Sequence, residues 1–246
     1  MACNLTIIES APSTNTLMAH DYADAPHGTA LMARAQTAGR GQRGNSWESE
    51  PGKNVSLSVM LRPAAIPAQS QFCISEAVAL AVARTLDRYL PEDVHTAIKW
   101  PNDIYVGDKK IAGILIENAL CGSRIDRSIA GIGVNINQET FLSEAPNPVS
   151  LIHFTHKAVD VQQFAVEMTD CLLALMQEVE ADSLALHEQY LEKLWRRRGY
   201  HPYRDAATGM AFDAAIDDIA PTGHITLIDK LGARYTYAFK EVAALL

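Results

Sequence analysis

Short runs of apolar and β-branched residues, separated by turn-forming residues, dominate the first three fifths of the chain. Between these runs, apolar residues recur at helical spacing from about Gln69 to Leu90, and Pro91 ends that pattern. The strands that the other runs predict lie over 5–8, from Thr29, from Asn54, over 96–100, from Lys109 and from Arg127. Strands combined with one long helix indicate an α/β or α+β domain.

Two changes of pattern divide the rest of the chain. Over 160–198 the apolar residues again follow the helical period, with an interruption near Asp182 that predicts two helices and an end at Gly199. The final stretch consists of short alternating runs separated by glycine and aspartate, which predict a small β-barrel. We therefore expect a first domain over 1–198 and a second domain over 199–246.

Composition narrows the possible classes of protein. The 246 residues are 48% hydrophobic and 20% charged, which suits a globular catalytic domain with a smaller appendage. A net charge of -8 repels phosphate backbones, so nucleic acid is not expected as the main partner. The sequence has no signal-peptide pattern and no run of about 18 apolar residues, and its cysteines form no CxxC pair. We expect a cytoplasmic protein with reduced, mostly buried thiols and no membrane contact.

The segment 33–54 is the most unusual part of the sequence. Between Arg34 and Asn45 it contains three arginines, three glycines and no acidic residue, within an acidic protein. Such a loop can present backbone N–H groups and guanidinium groups to a phosphate; the alternative is a flexible surface loop. The GxGxxG spacing from Gly39 predicts no dinucleotide fold, because no amphipathic helix follows it. The Gly-Lys pair at 52–53 lacks the Ser or Thr of a Walker A loop.

A second group of chemically suggestive residues lies over 99–117. Asn102 and Asp103 follow a Trp-Pro pair and are predicted at a strand end. Lys110 begins the next strand on the same face as its apolar residues, which predicts an inward ammonium group that needs an anion. The alternative is a solvated lysine at the mouth of a hairpin. Two glycines in the predicted strand over 127–137 indicate close approach of a ligand.

Five segments together make the sequence resemble the biotin protein ligases, also called biotin–[acetyl-CoA-carboxylase] ligases. These segments are STN at 13–15, AQTAGRGQRGNSW at 35–47, KWPNDIYVGDKKIAGILIE at 99–117, GIGVNIN at 131–137 and FKEV at 239–242. The resemblance covers essentially the whole chain, and the ordered set is far more specific than any one motif. It implies an α+β fold: a mixed-sheet catalytic domain of the biotin/lipoate ligase type, followed by a small SH3-like β-barrel.

The resemblance also implies roles for individual positions. The catalytic residues would be Arg40, Lys110 and Asp103. Biotin would be bound by Ser13, Thr14, Asn15, Gln36, Gly39, Arg40, Gly41, Gln42, Lys110, Gly113, Gly131 and Gly133. ATP would be bound by Arg40, Arg43, Trp47, Asn102, Lys110 and Asn135. Many relatives have arginine at the position of Gln42, so one charge is missing from this loop and we expect Arg43 to compensate in part.

The implied reaction uses ATP with Mg²⁺ to convert biotin to biotinyl-5'-AMP. The biotinyl group then passes to a lysine of a biotin carboxyl carrier protein or domain. Only twelve residues precede Ser13, so we expect a member without an N-terminal helix-turn-helix and without specific DNA binding. Monomer and homodimer are both compatible with the sequence, and no metal ligand is predicted.

Two alternative functions stay open at this point. A lipoate ligase would have a similar fold, but an RRxxGGG-type motif, which would be expected there, is absent from the sequence. A non-catalytic module that senses biotinyl-AMP would need no phosphate chemistry, and Lys110 together with the arginine-rich loop argues against it. A metalloenzyme is not expected, because the histidines form no HExxH motif.

Overall fold

Two sheets and their flanking helices make up the fold in the computed structural model, which describes residues 4–63, 65–142 and 147–245. The strands are β1 (Asn4–Ala11), β2 (Thr29–Gln36), β3 (Val55–Leu61), β4 (Thr96–Lys99), β5 (Asp103–Val106), β6 (Lys109–Cys121), β7 (Arg124–Val134), β8 (His201–Asp205), β9 (Ala211–Ile219), β10 (Ile225–Asp229), β11 (Arg234–Tyr237) and β12 (Val242–Ala244). The helices are α1 (Thr14–Asp21), α2 (Phe72–Asp87), α3 (Ile152–Thr155), α4 (Val161–Ala181) and α5 (Ser183–Glu192).

The first sheet has seven strands in the order β1-β2-β3-β7-β6-β5-β4. Strands β1 and β2 run parallel, and all other neighbours are antiparallel. This arrangement confirms the mixed sheet of an α+β fold. The predicted strands are all present, because each has the β-branched, apolar pattern that favours a pleated surface.

Three elements of the first domain were not predicted from the sequence. Helix α1 (Thr14–Asp21) has no continuous apolar stripe, and β5 (Asp103–Val106) is only four residues long and lies between two turns. Helix α3 (Ile152–Thr155) is likewise only four residues long. The predicted break near Asp182 is confirmed: its carboxylate accepts hydrogen bonds from the N–H groups of Leu184 and Ala185 and caps α5. The end predicted at Gly199 is wrong, because α5 stops at Glu192.

Alternation along the central strands gives the seven-stranded sheet two different faces. The core face packs against α2 and α4, and its central residues are Leu57, Val59, Ala112, Ala130 and Ile132. The opposite face, called the cleft face here, has small or polar residues at its centre: Ser56, Ser58, Gly113, Gly131 and Gly133. Helix α1 covers one end of the cleft face through Met18. The glycines and serines leave room above the rest of that face.

The second sheet is antiparallel, with the order β11-β10-β9-β8-β12. The predicted β-barrel is wrong in one respect: β11 and β12 do not pair with each other in the described ranges, so the sheet is open. Strand β12 is three residues long and forms its ladder with β8, which leaves no residues to close the ring. The first strand of this sheet begins at His201, and the division at 198/199 stays a prediction.

The two sheets are held together by hydrogen bonds and by an aromatic contact. Trp100 Nε1 donates to the Gly223 carbonyl at 3.0 Å, and the Trp100 ring meets Phe239 edge to face, with centroids 6.1 Å apart. Arg197 Nη1 donates to the Ile216 carbonyl at 2.7 Å. These contacts place the second sheet at the rim of the cleft face.

Two further sequence expectations concern membrane spans and the cysteines. Within the described ranges, no helix combines the length and the apolar character needed to cross a bilayer. Cys73, Cys121 and Cys171 are free thiols, whereas Cys3 lies outside the described residues. The expectation of mostly buried thiols is wrong for these three, because Cys121 is exposed in the β6–β7 hairpin and the other two are partly buried.

Candidate active site

A cavity of about 1030 Å³ lies over the cleft face, between the sheet, the loop at 40–48 and the second sheet. Most of the site residues expected from the sequence line it: Ser13, Thr14, Asn15, Gln36, Arg40, Gly41, Gln42, Trp47, Asn102, Asp103, Lys110, Gly113, Gly131, Gly133 and Asn135. Gly39 lies behind this lining, where its carbonyl accepts a hydrogen bond from Trp47 N at 3.0 Å. The side chain of Arg43 lies outside the described part of the chain.

One end of the cavity, called the polar end here, is formed by buried and hydrogen-bonded side chains. Gln36 Oε1 accepts from Thr14 N at 2.8 Å, and Ser58 Oγ donates to Asn15 Oδ1 at 2.6 Å. Thr14, Asn15 and Ser58 are buried, and Ser13 beside them is also buried. These contacts fix the positions of neutral donors and acceptors. Such groups can form hydrogen bonds to a neutral polar group of a ligand.

The glycines of β7 allow two side chains to lie directly on the sheet. A Cβ atom on Gly131 would come within 2.3 Å of Asn15 Oδ1, and one on Gly133 would come within 2.5 Å of Trp47 Cε2. Real Cβ atoms do not approach other atoms that closely, so any larger residue would displace Asn15 or Trp47. Close approach therefore explains both glycines, although the observed contacts are with side chains of the protein itself.

Two cationic side chains at the cavity are paired with carboxylates. Arg40 Nη2 lies 2.8 Å from Glu117 Oε1, and Lys110 Nζ lies 2.6 Å from Asp103 Oδ1. Both pairs are partly exposed, with side-chain exposures of 46% and 36% for the first and 28% and 21% for the second. An anionic ligand that enters the cavity can therefore compete for these cations.

Lys110 does not share a face with Ala112, contrary to the prediction from simple alternation. An irregularity between β5 and β6 pairs Ile104 with Ala112 but Tyr105 with Lys110, so one extra residue of β6 interrupts the alternation. The ammonium group instead lies on the cleft side, 3.4 Å from the position that a Cβ on Gly113 would occupy. The lysine has the anionic partner that was expected, on the cavity side of the sheet.

The indole of Trp47 covers the floor of the cavity between Gly113 and Gly133. Lys110 Nζ lies 5.5 Å from the centroid of this ring, within cation–π distance. Trp47 Nε1 is buried and has no hydrogen-bond acceptor among the described residues. A ligand with an acceptor at this position would satisfy the indole N–H group.

The two asparagines expected near a nucleotide hold the cavity wall in place. Asn102 Nδ2 donates to the Ile114 carbonyl at 2.8 Å, and Asn135 Nδ2 donates to the Val149 carbonyl at 3.1 Å. Asn135 Oδ1 is buried without a hydrogen-bond donor among the described residues. Its amide therefore has acceptor capacity left, which a donor on a ligand can use.

Sequence reasoning missed several residues in the cavity lining or directly behind it. Glu117, which ends the third motif but received no role, and Ser58, which lies in no motif, hydrogen-bond Asn15 from behind the lining. Lys99 also lines the cavity; burial lowers its pKa, and its ammonium group donates to the Tyr105 hydroxyl at 3.0 Å. Phe239, which lies between β11 and β12, also lines the cavity, and its membership of the FKEV motif was the signal for it.

No cluster of three or more His, Cys, Asp or Glu side chains suited to a metal occurs in residues 4–63, 65–142 and 147–245. The carboxylates nearest the cations are Asp103 and Glu117, each already paired with a cation. A Mg²⁺ ion held by only one or two carboxylates requires ligand phosphates to complete its coordination. The residues present thus fit a metal that arrives with a phosphorylated ligand, but not a separate protein-built metal centre.

Comparison with known families decides the relationship of the chain. Residues 7–135, more than half of the chain, match the model of the biotin/lipoate A/B protein ligase family. The chain belongs to this family. The match runs from within β1 to the end of β7, so it includes most of the seven-stranded sheet and much of the cavity lining.

One relative is named a bifunctional ligase/repressor, and another is named a biotin–[acetyl-CoA-carboxylase] ligase. The bifunctional ligase/repressor BirA of Bacillus subtilis is 40% identical over 129 residues, which span 52% of this chain and 39% of that protein. The biotin–[acetyl-CoA-carboxylase] ligase of Mycobacterium tuberculosis is 32% identical over 183 residues, which span 72% of this chain and 63% of that protein. The chain thus matches less than two thirds of the length of either relative.

A solved structure extends the comparison over the whole fold. The biotin protein ligase of Aquifex aeolicus, in complex with biotin and ATP, aligns with a TM-score of 0.79 and 22% identity. The alignment covers 98% of each chain, including the second sheet. At this identity the likeness establishes the fold, which is that of a biotin protein ligase.

Proposed function

We propose that this chain activates biotin with ATP to form biotinyl-5'-AMP, and then transfers biotin to a lysine of a carboxylase carrier domain. The observation that supports the proposal best is the division of the cavity into two chemical regions. Neutral hydrogen-bonding side chains around Asn15 suit the ureido group of biotin, while Arg40 and Lys110 suit its carboxylate and the phosphates of ATP.

The chemistry requires activation because a carboxylate cannot lose oxide to an attacking amine. A biotin carboxylate oxygen attacks the α-phosphorus of ATP, an O–P bond forms, and pyrophosphate leaves with the electrons of the broken P–O bond. Arg40 and Lys110 would stabilise negative charge on the phosphoryl oxygens. No enzyme nucleophile is needed, since the adenylate itself is the activated acyl group.

The pairing of Lys110 with Asp103 supports the transfer step of this proposal. When Lys110 binds a phosphate, Asp103 loses its partner at 2.6 Å and becomes available as a hydrogen-bond acceptor. Asp103 can then orient the carrier lysine and accept the proton that this amine loses as it attacks the acyl carbonyl. The bond between the acyl carbon and the bridging oxygen then breaks, AMP leaves with that oxygen, and the product is an amide.

The proposal also includes the metal ion, the acceptor protein and the cellular compartment. Mg²⁺ would enter with the triphosphate and neutralise part of its charge, held mainly by phosphate oxygens. The acceptor would be a biotin carboxyl carrier protein or domain in the cytoplasm, where the free thiols stay reduced. With a net charge of -8, no specific binding to DNA is proposed.

Biotin-dependent exchange of pyrophosphate into ATP tests the first step, with lipoate as the alternative acid. We expect exchange with biotin and none with lipoate; the reverse result would identify a lipoate ligase. Mass spectrometry of a carrier domain incubated with the protein, biotin, ATP and Mg²⁺ then tests the second step. Exchange without any carrier acylation would contradict the transfer half of the proposal.

A further inference from the structure

Glu117 connects the two chemical regions of the cavity. Its Oε1 accepts a hydrogen bond from Arg40 Nη2 at 2.8 Å, and its Oε2 accepts from Arg40 Nη1 at 3.3 Å. The same Oε2 accepts from Asn15 Nδ2 at 2.8 Å. One carboxylate thus contacts both Asn15 of the polar end and Arg40 of the loop at 40–48.

The contact with Glu117 determines which way the Asn15 amide points. Asn15 Nδ2 also donates to the Leu115 carbonyl at 3.2 Å, so both of its hydrogens face groups that can only accept. Reversing the amide would place Oδ1 against the Glu117 carboxylate and the Leu115 carbonyl, which is repulsive. The orientation keeps Oδ1 toward Ser58 and leaves it one acceptor position.

The contact with Arg40 is of a different kind. Arg40 and Glu117 are 46% and 36% exposed, so water screens this pair and a ligand can replace either partner. Asn15 is only 3% exposed, and its hydrogen bonds are shielded from competition. Binding of an anion by Arg40 would therefore break the Arg40 contact of Glu117 while leaving the Asn15 contact in place.

We infer that Glu117 is a positioning residue that holds Arg40 in the free protein, releases it to the anionic substrate, and orients Asn15 throughout. The inference rests on the proposed function in one respect, that the anion is the carboxylate or adenylate of biotin. Its first half concerns the ligand-free protein and does not depend on the reaction.

The Arg40 contact is tested by tryptic cleavage after Arg40 without ligand, followed by mass spectrometry. Glu117→Gln keeps a carbonyl oxygen for Asn15 but removes the charge, so we expect cleavage about 5-fold faster than in the unmodified protein. Rising salt should speed cleavage of the unmodified protein and leave the variant unchanged. The matched control is Glu9→Gln, which removes an exposed carboxylate 3.2 Å from Arg34 and should leave cleavage after Arg40 unchanged. Equal rates in the unmodified protein and E117Q would overturn this half.

The Asn15 contact is tested by the biotin KM of pyrophosphate exchange. Glu117→Ala removes the acceptor, and we expect KM to rise about 10-fold, the loss of roughly one charge-assisted hydrogen bond, with a much smaller change in kcat. Glu117→Gln should stay within about 3-fold of the unmodified KM, since a neutral acceptor remains. If the alanine variant does not fold, Glu117→Met removes the acceptor with little change of volume.

An unchanged KM in the folded variant would overturn the second half. Absence of biotin-dependent exchange in the unmodified protein would instead reject the proposed function. The ligand-free cleavage experiment would still decide the Arg40 contact in that case.

Discussion

The two faces of the seven-stranded sheet are built from alternate residues of the same strands, yet they have opposite properties. On the core face, Val59 and Ala130 pack against helices and are fully buried. On the cleft face, their neighbours Ser58 and Gly131 contact Asn15 and leave space above the sheet. One strand sequence can thus specify both a core face and a cleft face, because its side chains alternate.

The faces also differ in how replaceable their contacts are. Core contacts are apolar and close-packed, so a lost methylene leaves a cavity that nothing fills. Cleft contacts include ion pairs such as Arg40–Glu117, which a ligand can exchange for its own groups. Substitutions on the core face should therefore change stability, and substitutions on the cleft face should change activity.

The largest effect is expected from Leu61→Ala on the core face. Leu61 is fully buried in β3, and its truncation should lower the free energy of unfolding by about 2–5 kcal/mol. The biotin KM of the protein that remains folded should not change, because Leu61 does not line the cavity. Denaturant titration and exchange kinetics at low temperature measure the two quantities. A raised KM with unchanged stability would contradict the division between the faces.

Lys110→Ala should have the opposite outcome. Loss of a preorganised charge at the phosphoryl group should lower adenylation by about 10² or more, with little change in Tm. Lys109→Ala is the matched control, because its exposed side chain precedes Lys110 in the same strand. Near-normal pyrophosphate exchange by a folded K110A variant would mean that Lys110 is a solvated lysine without a role in adenylation.

Gly131→Ala changes the cleft face of β7 alone, because Gly131 alternates with core residues of the same strand. The added methyl group would overlap Asn15 Oδ1, so Asn15 must move and its hydrogen bonds must weaken. We expect the biotin KM to rise by about 10-fold, which corresponds to the loss of roughly one such bond. Isothermal titration with biotin provides an independent measure of the same change. An unchanged affinity would mean that Asn15 does not contact the ligand.

The smallest effect concerns the pH dependence of stability, through a histidine that connects α5 with α2 and with the second sheet. His187 on α5 contacts Glu76 of α2 at 2.7 Å and Asp218 of β9 at 3.2 Å. The hydrogen bond to Glu76 raises the pKa of His187 above its ordinary value of 6.5, and burial raises the pKa of Glu76. A raised folded-state pKa stabilises the protein fully below the unfolded value, and this stabilisation is lost as pH rises through the folded value.

Stability should therefore fall as pH rises from 6.5 through the raised folded-state pKa of His187, where its charge is lost. The raised pKa of Glu76 has the same sign, since the folded protein again binds more protons than the unfolded chain. In His187→Gln we expect the part of the stability loss that occurs above pH 6.5 to disappear. In mildly acidic buffer its Tm should be lower by about 2–4 °C, which corresponds to a destabilisation of ~1 kcal/mol in a chain of this size. Parallel Tm curves for both proteins would contradict this assignment.

Patterns that are local in the chain determined much of the fold. Runs of apolar and β-branched residues specified every strand of the first sheet except β5, and helical spacing with the capping residue Asp182 specified α4 and α5. Such patterns are decided by side chains a few positions apart, and these need no distant partner to be recognised. Helix α1 was missed because its segment lacks that local pattern and is stabilised by burial of Met18.

The motifs that carry the family resemblance indicated many of the segments around the cavity, whereas Trp195, Tyr203, Ile216 and Ile225 line it without belonging to any motif. Which of these residues meet depends on the tertiary structure. Glu117 contacts Arg40 across 77 positions of the chain and Asn15 across 102, through strand order and register that no local pattern specifies. One extra residue in β6 likewise turned Lys110 to the cleft side. Such contacts depend on the summed packing of the whole sheet, so their free energies are not encoded in any single segment.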